Sequence, residues 1–321
     1  MHRRNFTQSL AGATFGILGH PAKNRMFTAE NSALSCTIEA GQWDDEARKM
    51  ASPPSRAPYG LSVMLWTVFQ NLPFEQRLEK VHAAGYRNVE LVREYHGWSR
   101  SDFARVNRRR RLLGIRFDAM SGLRNGLANP QDRPAMLAEV RQVLATMELL
   151  GCPALILLSG NRVPGIPRAL QHASCIEGLK QAAGLIEGRQ IAGEPVRLLI
   201  ENIDPEENPH YYLHSGREGF AIVRAVNHPQ VQMLYDLYHE QVAEGNLIEK
   251  LQKNLPLLGL VHIADVPGRH QPGTGEIHFR NIYRTLTALG YDRKVAMEFL
   301  PLGEPVEQLR RAGQEALRGG T

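Results

Sequence analysis

Four side chains that could bind a metal ion lie in the second half of the chain, each at the end of an apolar run. They are Glu201, Asp236, His262 and Glu298. Successive members are 35, 26 and 36 residues apart, and about 30 residues is the length of one strand–loop–helix unit. Carboxylate and imidazole groups suit Mg²⁺, Mn²⁺ or Co²⁺, and a set without thiolates argues against a structural zinc. The spacing therefore predicts one site for one divalent metal ion.

Each of these residues has a simpler interpretation when it is taken alone. Glu201 and Glu298 could cap helices or form surface ion pairs. Asp236 could cap a following helix, and His262 could be a hydrogen-bonded core histidine. The common position at the ends of apolar runs favours shared metal binding instead, with Asp236 assigned to ligation alone.

The remaining elements predict how the four residues come together. From Leu61 onward, apolar runs predict strands at 62–69, 87–92, 115–121, 154–159, 196–202, 231–236, 259–265 and 294–299. Helices are predicted between them at 74–84, 100–113, 132–150, 168–192, 216–227, 246–254 and 278–289, with a last one near 304–317. Eight such pairs predict an α/β fold, a single (β/α)8 TIM barrel, in which the carboxyl ends of the strands face one cavity.

Length and composition agree with one barrel domain at 58–321 behind an N-terminal extension at 1–57. About 260 residues is the usual size of such a barrel. The chain is 43% hydrophobic, which is ample for a buried core. Its three cysteines, Cys36, Cys152 and Cys175, show no C-x-x-C spacing, so neither a zinc knuckle nor a disulfide scaffold is indicated.

The charge pattern indicates a small-molecule partner rather than nucleic acid. A net charge of +5 is a mild excess that could favour anionic ligands. The densest basic cluster, Arg105 and Arg108 to Arg111, would spread around the whole circumference of a helix and has no interleaved aromatic platform. It is therefore interpreted as a solvated outer face of a helix.

The first 57 residues differ from the rest. Arg3, Arg4 and Phe6 precede a mildly apolar stretch, Ser9 to Gly19, which resembles a twin-arginine export signal. That stretch is far too short to span a bilayer as a stable helix. Residues 40 to 58 are interpreted as a flexible linker. The sequence favours export to the periplasm, and the alternative is a disordered basic leader on a cytoplasmic enzyme.

Longer motifs around the strand ends resemble a known family. They are Glu201-Asn202-Ile203, Asn208 to Tyr212, Tyr235 to His239, His262 to His270, Gly273 to Ile277 and Glu298-Phe299. They resemble the xylose isomerase-like barrel superfamily, and most closely its hydroxypyruvate isomerase family, over roughly residues 60 to 302. The resemblance implies a metal-dependent isomerase that converts hydroxypyruvate to tartronate semialdehyde. One departure is His262, where hydroxypyruvate isomerases often carry glutamine and sugar epimerases of the superfamily carry histidine.

The chemistry follows from the residue types. Isomerising an α-hydroxy carbonyl compound removes a carbon-bound proton and returns one at the neighbouring carbon. The intermediate is an enediolate, whose negative charge a divalent cation stabilises. Glu201 and Glu298 come from the fifth and eighth strands, across the cavity from each other, so they are the predicted acid/base pair as well as metal ligands.

Five further residues are predicted to contact or orient the substrate. They are Glu207, His239, Arg269, His270 and Glu276. Substrate contact by His239 is implied by the resemblance. Arg269 and His270 lie on a Pro/Gly-bounded loop, and a bidentate arginine would favour an acidic substrate over a neutral hexose. Glu276 is interpreted as a partner of Arg269 or His270, or as the cap of the helix that begins near His278.

Two other functions are compatible with the same residues. A ketose 3-epimerase would use the same metal site and the same glutamates but remove a proton from C3. A non-catalytic barrel could bind a sugar or an acid, although a full set of four ligands argues against it. The sequence is also compatible with a homo-oligomer.

The leader generates a direct test. If Arg3 and Arg4 direct export of the folded enzyme, replacing both with lysine should leave the protein in the cytoplasm. Cell fractionation followed by amino-terminal sequencing measures this, with a second exported protein as the control for the export machinery. A native chain found uncleaved in the cytoplasm, with Met1 or His2 still present, would contradict the export hypothesis.

Overall fold

Eight parallel strands close into a barrel in the structure, a computed structural model that describes residues 57–318. They are β1 (Gly60–Met64), β2 (Asn88–Val92), β3 (Arg116–Ser121), β4 (Ala154–Leu157), β5 (Arg197–Glu201), β6 (Val231–Asp236), β7 (Leu258–Ile263) and β8 (Lys294–Met297). Each strand pairs with its neighbours in chain order, and β1 closes the barrel against β8 with Gly60 beside Lys294. The predicted (β/α)8 fold is confirmed.

Nine α-helices among the described residues surround the strands. They are α1 (Phe74–Ala83), α2 (Arg100–Leu112), α3 (Arg133–Leu150), α4 (Arg168–Ile186), α5 (Gly216–Val226), α6 (Leu237–Ala243), α7 (Leu247–Asn254), α8 (Phe279–Ala288) and α9 (Pro305–Arg318). Helix α3 ends on Gly151, whose φ of 63° is a left-handed conformation that favours glycine. The predicted break between this helix and the next strand is therefore present.

Alternation along the strands decides which side chains face the inside of the barrel. In a strand, residues two apart point to the same face. Leu199 belongs to a small apolar cluster inside the barrel, whereas Leu198 and Ile200 belong to the larger core between strands and helices. Glu201, two residues after Leu199, therefore faces inward. The same step relates Leu234 to Asp236, Leu260 to His262 and Ala296 to Glu298.

The predicted helix at 168–192 is too long. Helix α4 ends at Ile186, and the chain then forms a short antiparallel hairpin in which Gln190–Ile191 pairs with Glu194–Pro195. Gly188 and Gly193 have φ values of 68° and 82°, which turn the backbone out of the right-handed helix. The Ala and Gly residues of this segment continue the apolar pattern of the helix beyond Ile186, so the predicted helix extends past the observed end.

A helix that the sequence pattern did not predict, α6, follows β6 directly. Its backbone starts at Leu237 because the Oδ1 atom of Asp236 accepts hydrogen bonds from the backbone N–H groups of Tyr238, at 2.8 Å, and His239, at 3.1 Å. This is an N-cap, which satisfies donors that a helix start leaves without partners. Seven residues are too few for an apolar period to show.

The predicted leader and linker lie outside the described residues, except for Ala57, which is buried, and Pro58, which is exposed. Among the helices of residues 57–318, none has both the length and the apolar character needed to cross a bilayer.

Candidate active site and metal centre

The structure brings together the four residues predicted to bind metal, at the carboxyl ends of β5 to β8. Each offers one ligand atom, and these atoms all lie within 4.8 Å of one another. His262 Nδ1 lies 2.7 Å from Glu298 Oε2, 3.7 Å from Glu201 Oε1 and 3.9 Å from Asp236 Oδ2. Ligands on opposite sides of an ion bound at about 2.1 Å are about 4.2 Å apart. The spacing and the oxygen-rich donor set therefore fit one divalent cation.

Asp236 caps a helix and also faces the cluster. Its Oδ1 atom caps α6, as described above, while its Oδ2 atom faces the other three ligand-type side chains. The carboxylate is 1% exposed. The helix cap that the sequence offered as the alternative is therefore present, and it leaves Oδ2 available to a cation.

The two glutamates have opposite electrostatic surroundings. Burial, and next the nearby Glu298 carboxylate, raise the pKa of Glu201 to about 8. Burial also opposes ionisation of Glu298, but the Arg269 guanidinium and the His262 imidazole outweigh it and hold the pKa of Glu298 well below its usual range. A bound cation would favour the ionised form of both. Glu201 is therefore the carboxyl group that exchanges a proton more easily near neutral pH.

Arg269 is held tightly beside the cluster. Its Nη2 atom lies 2.8 Å from Glu298 Oε2 and 3.5 Å from Asp236 Oδ2. The guanidinium carbon lies 5.4 Å from the centre of the Trp66 ring and 5.2 Å from that of Tyr238. Such contacts are favourable cation–π interactions, and they are strongest where water is excluded. Arg269 is thus a buried, oriented cation at the edge of the cluster.

The loop that carries Arg269 is organised by one buried carboxylate, Asp265. Its oxygens accept hydrogen bonds from the backbone N–H groups of Val266, Gly273, Gly275 and Ile277 at 2.8–3.0 Å. A Cβ atom on Gly275 would lie 1.9 Å from the carbonyl oxygen of Val266, so this close approach requires glycine. The Pro/Gly pattern of the sequence therefore encodes a fixed loop.

A second polar cluster lies on the side of Arg269 away from Glu298. Asp204 Oδ2 is 2.5 Å from His239 Nδ1, and His239 Nε2 is 3.1 Å from Arg269 Nη1. The carboxylates of Asp236 and Asp204 outweigh burial and raise the pKa of His239. Glu207 Oε2 lies 3.4 Å from Arg269 Nη1. Two predicted substrate contacts, His239 and Glu207, are thus close to the metal-type cluster, which consists of Glu201, Asp236, His262 and Glu298.

The structure does not bring His270 and Glu276 to the cluster. The Nδ1 atom of His270 is hydrogen-bonded to the backbone oxygen of Leu300, at 2.8 Å. Glu276 is exposed, and its carboxylate accepts a hydrogen bond from Gln241 at 3.0 Å. The next helix is capped by His278 instead. The interpretation of Glu276 as the partner of Arg269 or His270, or as this cap, is therefore wrong.

Sequence reasoning missed four side chains that contact the site. They are Trp66, Glu90, Asp204 and Tyr238. Trp66 follows β1 and donates from Nε1 to Glu298 Oε1 at 2.7 Å, and Tyr238 donates to Glu207 Oε1 at 2.6 Å. Asp204 could have been found, because it lies three residues beyond Glu201 on a strand-end loop. Nothing in the sequence pattern distinguishes Trp66 from an ordinary core aromatic residue.

The basic cluster on α2 contacts neighbouring side chains. Arg105 pairs with Glu75 and Asp102, and Arg109 pairs with Glu79. The guanidinium of Arg110 lies 5.4 Å from the centre of the Phe117 ring. These contacts bind the outer helices to each other and to the barrel.

The closed barrel and its carboxylate–imidazole cluster define a class of protein. The family model of the xylose isomerase-like TIM barrels matches residues 78–319. The chain therefore belongs to the xylose isomerase-like TIM barrel family, as the sequence motifs predicted.

Individual relatives narrow the comparison. A Danio rerio protein named "Putative hydroxypyruvate isomerase" is 30% identical over 82% of this chain and 95% of its own length. A Haemophilus influenzae protein named 2-oxo-tetronate isomerase is 27% identical over 76% of this chain and 95% of its own length. A solved structure described as AP endonuclease, family 2, from Brucella melitensis is 25% identical with a TM-score of 0.70, over 80% of this chain and 98% of that chain. The prediction of an isomerase-type enzyme is confirmed by the names of the curated relatives.

The cluster generates a test of metal binding. Asp236→Asn keeps the shape of the side chain and one oxygen for the α6 cap, but removes the charge that faces the cluster. His262→Ala removes the only nitrogen ligand of the set. Both variants should bind Mn²⁺ at least about tenfold more weakly than wild type, measured by calorimetric titration after chelator treatment. Unchanged Mn²⁺ affinity in both variants would contradict the site.

Proposed function

We propose that the chain is a divalent-metal-dependent isomerase of small α-hydroxy carbonyl acids, most directly of hydroxypyruvate, with tartronate semialdehyde as the product. The observation that carries the proposal is the convergence of Glu201, Asp236, His262 and Glu298 on one buried point at the carboxyl end of the barrel. Active sites of (β/α)8 enzymes lie at that end. The names of two curated relatives, which refer to isomerisation of hydroxypyruvate and of 2-oxo-tetronate, support the substrate class.

The four clustered side chains would hold the metal ion. A bound Mg²⁺, Mn²⁺ or Co²⁺ would supply positive charge at the oxygens of the substrate, where an enediolate becomes negative. Burial strengthens this effect because the low local dielectric screens charges less than water does. The remaining chemistry belongs to the protein's own groups.

Glu201 and Glu298 are proposed to transfer the proton. They lie on β5 and β8, which are separated in the barrel by β6 and β7, so their carboxylates approach a central substrate from different sides. Without a cation the pKa of Glu201 is about 8, and a bound cation would favour its ionised form, which is the form that accepts a proton from carbon. Glu298 is kept ionised by Arg269 and His262 and hydrogen-bonded to Trp66, which fixes its position.

Arg269 and His239 are proposed to bind the acidic end of the substrate. Arg269 is 7% exposed and oriented by two aromatic rings, so little side-chain entropy is lost on binding. Its Nη1 atom faces Glu207, which is exposed and 3.4 Å away. A substrate carboxylate can replace that long contact with a shorter, charge-assisted one. An acid is therefore favoured over a neutral sugar.

The proposed location of this enzyme is the periplasm. The support is the Arg3-Arg4 leader, which resembles the signals that export folded proteins. An enzyme that binds its metal inside a closed barrel would use such a route after folding.

The proton-transfer assignment predicts the behaviour of two amide variants. Glu201→Gln and Glu298→Gln should each lower kcat on hydroxypyruvate by about 10²-fold or more, because an amide cannot accept a carbon-bound proton at a useful rate. Turnover is measured at saturating Mn²⁺, with metal content and thermal melting determined on each sample. Glu177→Gln, on the exposed face of α4, is the control. A variant that keeps a tenth or more of wild-type turnover would remove that residue from the acid/base role.

The substrate assignment predicts a difference between acids and neutral sugars. Arg269→Ala should lower kcat/KM on hydroxypyruvate by about 10²-fold or more at full metal occupancy, because it removes the charge-assisted contact to the substrate carboxylate. Activity on a neutral ketose should fall less, because it loses only the support that Arg269 gives to Glu298. Arg269→Lys keeps the positive charge but lacks the planar guanidinium. Its kcat/KM on hydroxypyruvate should lie between the values of wild type and Arg269→Ala.

A proton-exchange assay of the wild-type protein distinguishes the candidate functions. In deuterated water with Mn²⁺, an isomerase exchanges the proton on the hydroxyl-bearing carbon next to the carbonyl of hydroxypyruvate, whereas a ketose epimerase exchanges the proton at C3 of a sugar. Better turnover of neutral ketoses than of hydroxypyruvate would favour the epimerase. No exchange with any α-hydroxy carbonyl compound would favour a binding protein.

A further inference from the structure

Glu90 on β2 lies inside the barrel, and its side chain is fully buried. It is paired in the sheet with Met64 and Ala119, both of which belong to the inner apolar cluster, so it points into the same interior. Its Oε2 atom lies 2.9 Å from His262 Nε2. Within residues 57–318 its Oε1 atom has no hydrogen-bond partner. His262 is thus the polar group to which this buried carboxylate is bonded.

The two nitrogens of His262 face different partners. Nε2 faces Glu90, whereas Nδ1 faces Glu201, Asp236 and Glu298. A neutral imidazole carries a proton on one nitrogen and a lone pair on the other. An ionised carboxylate accepts hydrogen bonds and cannot donate them, so Glu90 favours the proton on Nε2. Glu298 Oε2, 2.7 Å from Nδ1, would favour a proton there in the same way, but a cation bound between Nδ1 and Glu298 would displace that proton and leave the Nδ1 lone pair as its ligand.

We propose that Glu90 is a positioning residue of the metal centre. It holds the Nε2 proton of His262 and thereby fixes the ring orientation and the tautomer in which Nδ1 binds the cation. Glu90 touches neither the cation nor the substrate, and it acts through His262. This inference rests on the proposed metal site, and it adds a residue from β2 to a centre otherwise built from β5 to β8.

A neighbouring carboxylate provides a matched control. Asp118 on β3 is also buried inside the barrel, and one of its oxygens also has no hydrogen-bond partner among the described residues. Its other oxygen accepts a hydrogen bond from the Ser62 hydroxyl at 2.9 Å, and not from His262. Asp118 is therefore a second buried carboxyl group of the barrel that lacks the contact to His262.

The first measurement is the Mn²⁺ affinity of the full chain. Glu90→Gln preserves the shape of the side chain but removes the charged acceptor, and its amide can present an N–H to Nε2, which favours the wrong tautomer. This variant should bind Mn²⁺ about 10- to 100-fold more weakly than wild type, as other outer partners of metal-bound histidines do. Asp118→Asn should bind Mn²⁺ with an affinity close to that of wild type.

The second measurement observes the proton itself. In Mg²⁺-loaded protein with ¹⁵N-labelled histidine, the Nε2–H of His262 should give a slowly exchanging, downfield resonance, identified by its loss in His262→Ala. Glu90→Gln should remove or shift this resonance, and Asp118→Asn should leave it in place. A purely structural role of Glu90 would change the melting temperature without changing this resonance.

The results separate this inference from the proposed function. If His262→Ala leaves Mn²⁺ affinity unchanged, the metal site is wrong and the role of Glu90 fails with it. If His262→Ala weakens binding but Glu90→Gln does not, or if Asp118→Asn weakens it as much as Glu90→Gln, only the role of Glu90 is overturned. Should Glu90→Gln fail to fold, Glu90→Asp, which keeps the charge but is one methylene too short to reach Nε2, is expected to show the same loss of affinity.

Discussion

Burial of three carboxylates next to one another is the interaction on which the rest of this structure depends. Glu201, Asp236 and Glu298 have ligand oxygens within 4.8 Å of each other and of His262, in a region from which water is largely excluded. Like charges at this distance repel strongly in a low-dielectric interior. Arg269 and His262 offset part of this repulsion. A bound divalent cation would offset the remainder, so the cluster is suited to an ion as much as to a substrate.

The features around the cluster follow from that electrostatic requirement. The Arg269 guanidinium reduces the repulsion only if it stays close to the carboxylates. Two sets of contacts keep it there. The Asp265-anchored loop fixes the backbone of Arg269, whose φ of 56° is an unusual conformation for a residue other than glycine. The rings of Trp66 and Tyr238 fix its guanidinium. Local backbone strain at this residue is thus balanced by contacts that orient a functional charge.

The barrel and the centre of the site could be predicted from sequence, because both are encoded by regular patterns. Strand periodicity set which residues face inward, and a ligand-type residue stands at the end of each of four apolar runs, as Glu201 does two residues after Leu199. Side chains that reach the site from irregular segments could not be found in this way. Trp66 follows β1 in a single turn of 3₁₀ helix, and His270 turns away to a backbone oxygen although it is next to Arg269. Periodicity carries no information about such orientations.

Glu90 shows a different limit of sequence reading. It falls within the predicted strand at 87–92, but a buried carboxylate has meaning only through its partner, and the partner is 172 residues away. Only closure of the sheet into a barrel brings β2 opposite β7. Contacts of this kind across the barrel interior are the part of the site that a single sequence does not reveal.

The shared carboxylate of Asp236 links the site to the stability of a helix. Its Oδ1 atom accepts the amide hydrogens of Tyr238 and His239, while its Oδ2 atom faces the cluster. Local opening of α6 therefore releases a ligand-type oxygen, and an occupied site holds the first turn of α6 closed. The first turn of α6 and the cluster that Asp236 faces are therefore expected to open and close together. Amide hydrogen exchange at Tyr238 and His239 consequently reports the occupancy of the centre from within a helix that contains none of its ligands.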